Sequence, residues 1–176
     1  AAPTGGGVKS MTADFARRVM WWSLLITTPA GVSYSAKDVA DWATTKVHAA
    51  EQPWRQALAL PGAGAIAPMA AFFDPMEFWR LKPLAGAVIG QTGGPSLRGF
   101  MAASGIAGGN RIVVYVPEAR VVALVSGTWP AAAEAKWFSP RTGLSSPAVA
   151  VASSSAALKF TTPGAGDWVL LIHAKR

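Results

Sequence analysis

Cysteine is absent from all 176 residues, which removes both a disulfide framework and any thiolate metal centre. Histidine is almost as scarce: His48 and His173 stand alone, with no ligand partners at metal spacing, so structural histidines are expected and no metal site. Long apolar runs are missing too. The longest strongly apolar stretch, 19–26, is far short of the roughly 20 residues that span a bilayer, and no membrane segment is expected. Carboxylates number nine against sixteen Lys and Arg, a net charge of +7. The basic residues are nonetheless scattered, with Arg17-Arg18 the one adjacent pair inside the body of the chain. No stripe forms to follow a polyanion, and no nucleic-acid partner is expected. The first residues, AAPTGGG, carry no initiator Met and no basic leader region, so the chain is expected to be a cut product or a piece of a longer protein.

What the sequence does have is core. Hydrophobic residues make up 51%, too many for a disordered polymer. The first half reads as helical and the second as β-structure. Ser10 or Thr12 can cap a helix with Asp14 in its first turn. Phe15, Val19, Trp22 and Ile26 recur along it at helical spacing, while Met20, Trp21, Leu24 and Leu25 fill its flanks. Such a helix, over 12–28, is apolar nearly all round and needs cover from other protein; Pro29-Ala30-Gly31 ends it. GVSYS, 31–35, predicts a short strand followed by the polar loop AKDVADW, the rhythm of an α/β barrel. With no neighbouring strand in view, the amino-terminal half is expected not to fold without a partner. Pro53 opens a helix over WRQALAL, AIAPMAAFF resumes as another that Pro68 would kink or restart, and Asp74-Pro75-Met76-Glu77 predicts the start of a third over FWRLKP. The Gly-rich QTGGP segment marks a boundary, dividing the chain into domains 1–90 and 91–176. Beyond it, RGFMAAS, RIVVYV, VVALV, EAKWF, AVAVA, LKFTT and WVLLIH are seven short runs separated by turn signals, the pattern of a small antiparallel sandwich.

Chemistry-bearing patterns are few. There is no Gly-x-Ser-x-Gly elbow, and GAGA and GIAGGN lack the strand-to-helix context of a phosphate cradle, so no cofactor is expected. Asp38 and Asp41 form the one close acidic pair in a plausible active-site loop; they either charge a short helix or act as acids. Tyr34, Ser35, Asp38 and Trp42 fall at or after the carboxyl end of the 31–35 strand, the side of a barrel where active sites are built. A Trp ring suits the apolar face of a sugar, and an Asp suits its hydroxyls. The alternative is that Tyr34 and Trp42 pack beneath the loop. Trp129, Trp137 and Trp168 likewise read either as a sugar platform or as core.

Three blocks carry a resemblance: FARRVMWWSLLITTPAGVSYSAKDVADW, WRQALALPGAGAIAPMAAFF, and KWFSPRTG with FTTPGAGDWVLLI. In order and spacing they resemble the carboxy-terminal third of the apiosidase-like glycoside hydrolases, large secreted bacterial proteins with a (β/α)8 barrel and a small terminal β-domain labelled collagen-binding. The resemblance implies the last helices and strand of that TIM barrel followed by an antiparallel β-sandwich. It also implies a secreted or periplasmic location, a carbohydrate substrate, and catalytic carboxylates on barrel strands upstream of Ala1, so that no catalytic residue is expected in this chain. An upstream segment of the same protein, or a companion chain, would then complete the barrel. Tyr34, Ser35, Asp38 and Trp42 would be substrate-binding. Two departures stand out: the family's Tyr-Gly reads Tyr34-Ser35, and its aromatic near Ala40 is replaced by Trp42 two residues on. The rival classes are a noncatalytic carbohydrate- or matrix-binding module and a structural subunit of a larger assembly.

Overall fold

The computed structural model describes residues 12–28, 30–42, 44–45, 52–91, 97–106, 110–129, 132–151 and 157–175. Ser10, Pro29, His48, residues 92–95 of the QTGGP segment and most of the 153–157 loop lie outside them. The first helix, α1 (Ala13–Ile26), opens where the Thr12 hydroxyl accepts the Phe15 amide at 3.2 Å, with Asp14 in its first turn. Ala16, Arg17, Met20, Trp21, Leu24 and Leu25 face inward. Phe15, Val19 and Ile26 face solvent at 51%, 38% and 44% exposure. The helix is therefore apolar on both sides but covered on one.

The cover on that side comes from this same chain, where α1 packs on the sheet. Among the described residues, nine strands build two sheets: β1 (Leu81–Pro83), β2 (Val88–Ile89), β3 (Ala102–Ile106), β4 (Arg111–Val116), β5 (Val121–Leu124), β6 (Ala133–Phe138), β7 (Val149–Val151), β8 (Leu158–Thr161) and β9 (Trp168–Ala174). The larger sheet runs β1-β3-β4-β9-β6-β7 and the smaller β2-β5-β8, and their paired strands are antiparallel. Mixed α/β architecture with antiparallel sheets is thus the fold. The seven expected runs are β3 to β9.

Alternation within β4 and β9 explains why both read as unbroken apolar runs. Val113, Tyr115, Val169 and Leu171 face the helices, while Ile112, Val114, Val116, Leu170 and Ile172 face the second sheet. Both faces are covered, so both must be apolar. On the helix side, Trp21 stacks on Tyr115 with centroids 5.8 Å apart and also meets Phe72, Phe73 and Phe138.

Three local expectations need correction. GVSYS is not a strand: residues 31–36 join no ladder among the described residues, and none of the sheet edges pairs with them. Asp74-Pro75 does not start a helix. Asp74 instead caps the end of α4 (Ile66–Phe73), its amide donating to Ala70 O at 2.8 Å. The chain then makes one 3-10 turn over Phe78–Arg80 and enters the sheet edge as β1, where Pro83 lacks only an edge donor. Pro68 does not interrupt α4, since it occupies the first turn, where the amide would have no intrahelical acceptor. The remaining helices are short, α2 (Lys37–Ala40) and α3 (Trp54–Ala57).

The FSPRTG turn after β6 closes through Gly143 N–H to Ser139 O at 2.9 Å and Ser139 N–H to Leu144 O at 2.8 Å. Gly143 takes φ +75° beside Pro68 of α4. The turn is a sandwich corner resting on the helical layer.

Candidate functional site

The 34–42 segment leads from extended backbone through α2 to an exposed tip. Tyr34 is half-buried and lies against Gly62, where a Cβ would fall 2.7 Å from the Tyr34 hydroxyl. It packs rather than projects. Ser35 is exposed. Asp38 is half-buried and its Oδ2 accepts the Gln52 amide at 3.3 Å. Asp41 is held by Lys37 at 2.6 Å. Trp42 is 68% exposed and is the one non-glycine residue with positive φ, +52°, among the described residues. Its ring meets Trp54 edge-on at 5.1 Å, and the Arg55 guanidinium lies 4.4 Å from the Trp54 centroid. The structure therefore brings Trp42 together with two residues of α3 that sequence reasoning did not select, although Trp54 stood within one of the family-like blocks. This ledge of two indoles can hold a flat apolar surface. Both Asp38 and Asp41 already have partners here.

A second polar constellation is buried at the seam between α1 and the sandwich. Arg17 grips Asp167 with both ends of its fork, Nε to Oδ2 at 2.7 Å and Nη2 to Oδ1 at 2.9 Å, and donates from Nη2 to Asp14 Oδ1 at 2.8 Å. Tyr115 Oη donates to Asp167 Oδ2 at 2.9 Å, and Arg141 Nε lies 3.4 Å from Oδ1. Burial by itself would lower the Arg17 pKa, but the hydrogen bonds and charge of Asp167, then those of Asp14, outweigh it and hold the guanidinium above its ordinary value. Burial first, then the charge and hydrogen bond of Asp167, push the Tyr115 phenol far above its usual value. Both Asp167 oxygens are occupied and the Tyr115 proton is committed to one of them, so this cluster is a clamp and not an acid/base pair. Sequence reasoning missed it. The available signal was an arginine on the inward face of a helix otherwise lined by Met, Trp and Leu.

The clamp makes stability depend on alkaline pH. Because the folded-state Tyr115 pKa lies above the unfolded value of about 10, its contribution is complete below pH 10. Above that, the unfolded chain releases a proton that the folded chain retains. Stability is expected to fall by up to about 1.4 kcal/mol per pH unit beyond pH 10 on this account. Denaturant unfolding of Tyr115→Phe beside the parent, between about pH 8 and 11, should show a slope shallower by one proton.

The other tryptophans singled out in the sequence, and His173, pack against their surroundings. Trp129 is buried, Trp137 packs against the core between the sheets, and Trp168 Nε1 donates to Gly164 O at 2.9 Å beneath Arg141. His173 is half-buried with Nδ1 3.0 Å from Ala174 O.

Residues 5–80 match the family profile described as "Apiosidase-like, catalytic domain", and residues 87–173 match that described as "Putative collagen-binding domain of a collagenase". The chain is thus similar to apiosidase-like catalytic domains over its first part and to that β-domain over its second. Among solved structures, it is similar to one titled "Glycoside hydrolase", with a TM-score of 0.75 and 19% identity over 93% of this chain and 37% of that one. It is also similar to a glycoside hydrolase family 5 protein from Bacteroides vulgatus ATCC 8482, with a TM-score of 0.77 and 18% identity over 96% of this chain and 37% of that one. At such identities the likeness is one of fold. The chain spans 37% of the length of these two structures. No curated protein matches it.

Proposed function

We propose that this chain is the carboxy-terminal portion of a secreted or periplasmic glycoside hydrolase. In this reading, the segment up to about residue 80 closes a (β/α)8 barrel, and the accessory β-domain takes in β1 and β2 together with 91–176. The observation that carries it is the order of the two family matches, catalytic-type first and β-domain second, along one short chain. Two physical facts support it. The outward stripe Phe15, Val19 and Ile26 is apolar and uncovered, and residues 31–35 run without a backbone hydrogen bond among the described residues. Both are what remains when neighbouring barrel elements are taken away.

Glycoside hydrolysis by the usual route needs two carboxyl groups, about 5 Å apart for retention and wider for inversion. Asp38 and Asp41 are tied to Gln52 and Lys37, so the catalytic pair is assigned to an upstream segment of the same protein or to a companion chain. This chain's share is substrate contact at the barrel mouth. Trp42 stacks on the sugar with Trp54 behind it, and Tyr34, Ser35 and Asp38 hold the loop that presents it. No cofactor takes part. The test is to assay the longer protein and the 176-residue chain side by side on aryl glycosides and polysaccharides. Turnover by the longer protein alone is expected. Robust turnover by the 176 residues would overturn the assignment, and carbohydrate binding without turnover by the longer protein would make it a binding module.

A further inference from the structure

The clamp opens outward into a recess of about 170 Å³ whose walls include Asp14, Arg17, Arg18, Tyr115, Arg141 and Asp167. Its charges do not balance. Three guanidinium groups meet two carboxylates, and Tyr115 stays neutral because its proton is held on Asp167. Asp167 is saturated by Arg17, Tyr115 and Arg141, and Asp14 is engaged by Arg17. Arg18 is left over. Its guanidinium lies 5.7 Å from the Trp22 ring centroid, yet its Nε is shielded from solvent and has no hydrogen-bond acceptor. With no carboxylate left for it, a guanidinium that lines the recess can take an acceptor there through its terminal nitrogens. Across the recess, Arg141 is laid flat over Gly166: with φ at +86°, a Cβ there would fall 2.7 Å from the guanidinium. Arg141 is held by its bond to Ala165 O at 2.9 Å and its ion pair with Asp167 at 3.4 Å.

We propose that this recess is a carboxylate-binding subsite at the seam between α1 and the β-domain, with Arg18 as the principal donor and Arg141 as a fixed second cation. A carboxylate fits on two counts. Its single negative charge matches the single uncompensated positive charge, and its planar pair of oxygens matches a guanidinium fork. The ligand class is an acidic sugar, a uronic acid residue of a polysaccharide; that it is a sugar rests on the glycosidase reading above, whereas the anion site does not.

The experiment is a titration of the 15N-labelled chain with sodium glucuronate at constant ionic strength, following the Arg18 Nε–Hε resonance, with glucose and sodium acetate as parallel arms. Saturable shifts with glucuronate, none with glucose and weaker binding of acetate are expected. Arg18→Gln should lose at least about tenfold in affinity, with Arg18→Lys in between because it keeps the charge without the fork. Both variants are first checked for an unchanged melting temperature. Absence of a saturable shift, an equal response to glucose, or full affinity in Arg18→Gln would overturn the subsite. Acetate binding as tightly as glucuronate would overturn its assignment to a sugar. Turnover of neutral aryl glycosides by the longer protein tests the underlying reading separately.

Discussion

Asp167→Ala is expected to destabilise the protein by about 3–5 kcal/mol, the range for leaving one member of a buried ion pair without its partner. The Arg17 and Asp167 side chains are 9% and 5% exposed, so solvent cannot replace what the substitution removes. The loss would be felt twice. Arg17 would keep a buried charge with only the exposed Asp14 to answer it, and the Tyr115 hydroxyl would lose its acceptor in the core. A contrasting variant separates strength from specificity. Replacing Arg17 and Asp167 together by Met and Leu, with Tyr115→Phe, removes the buried ion pair and the hydroxyl bonded to it at once and should cost far less than Asp167→Ala alone, because a buried pair is often nearly neutral against well-packed apolar residues. Urea unfolding followed by tryptophan fluorescence measures both, since Trp21 stacks directly on Tyr115. Equal losses for the two variants would mean that the clamp, and not merely an orphaned charge, supplies the stability.

The second large effect concerns activity. In the longer protein, Trp42→Ala is expected to lower kcat/KM by one to two orders of magnitude, a loss of about 1.4–2.8 kcal/mol of transition-state binding. The melting temperature should barely move, because the ring is mostly exposed and touches Trp54 by its edge. Tyr34→Ala should show the reverse emphasis. Its ring fills the space above Gly62 and packs on the core under α1, so stability should drop first. Unchanged kinetics for Trp42→Ala would remove the ledge from the substrate path.

The two residues illustrate what a sequence can and cannot reveal. An aromatic after an extended segment is visible in the letters, but whether it stacks inward or outward depends on what the fold sets opposite it. Tyr34 met Gly62, and Trp42 met solvent. The sandwich strands were legible because β4 and β9 carry apolar side chains on both faces and Gly, Pro and Asp punctuate the gaps. β1 and β2 were not, being three and two residues long and lying behind a helix-start pattern that α4 consumed as its end. The clamp was illegible for a different reason: Arg17 and Asp167 are 150 residues apart, one inside an apolar helix and the other in a Gly-rich turn, and nothing local pairs them. The domain matches, by contrast, span the blocks that carried the family resemblance.

The central claim, that these residues are part of a larger catalytic unit, is tested most directly by amide hydrogen exchange over 31–36. In the 176-residue chain these amides have no backbone acceptor among the described residues and should exchange freely, while α1, docked on β1, β3 and β4, is protected. In the longer protein the same amides should become strongly protected as neighbouring strands pair with them, and the α1 amides should gain further protection as Phe15, Val19 and Ile26 are covered. Equal, low protection of 31–36 in both proteins would contradict the account.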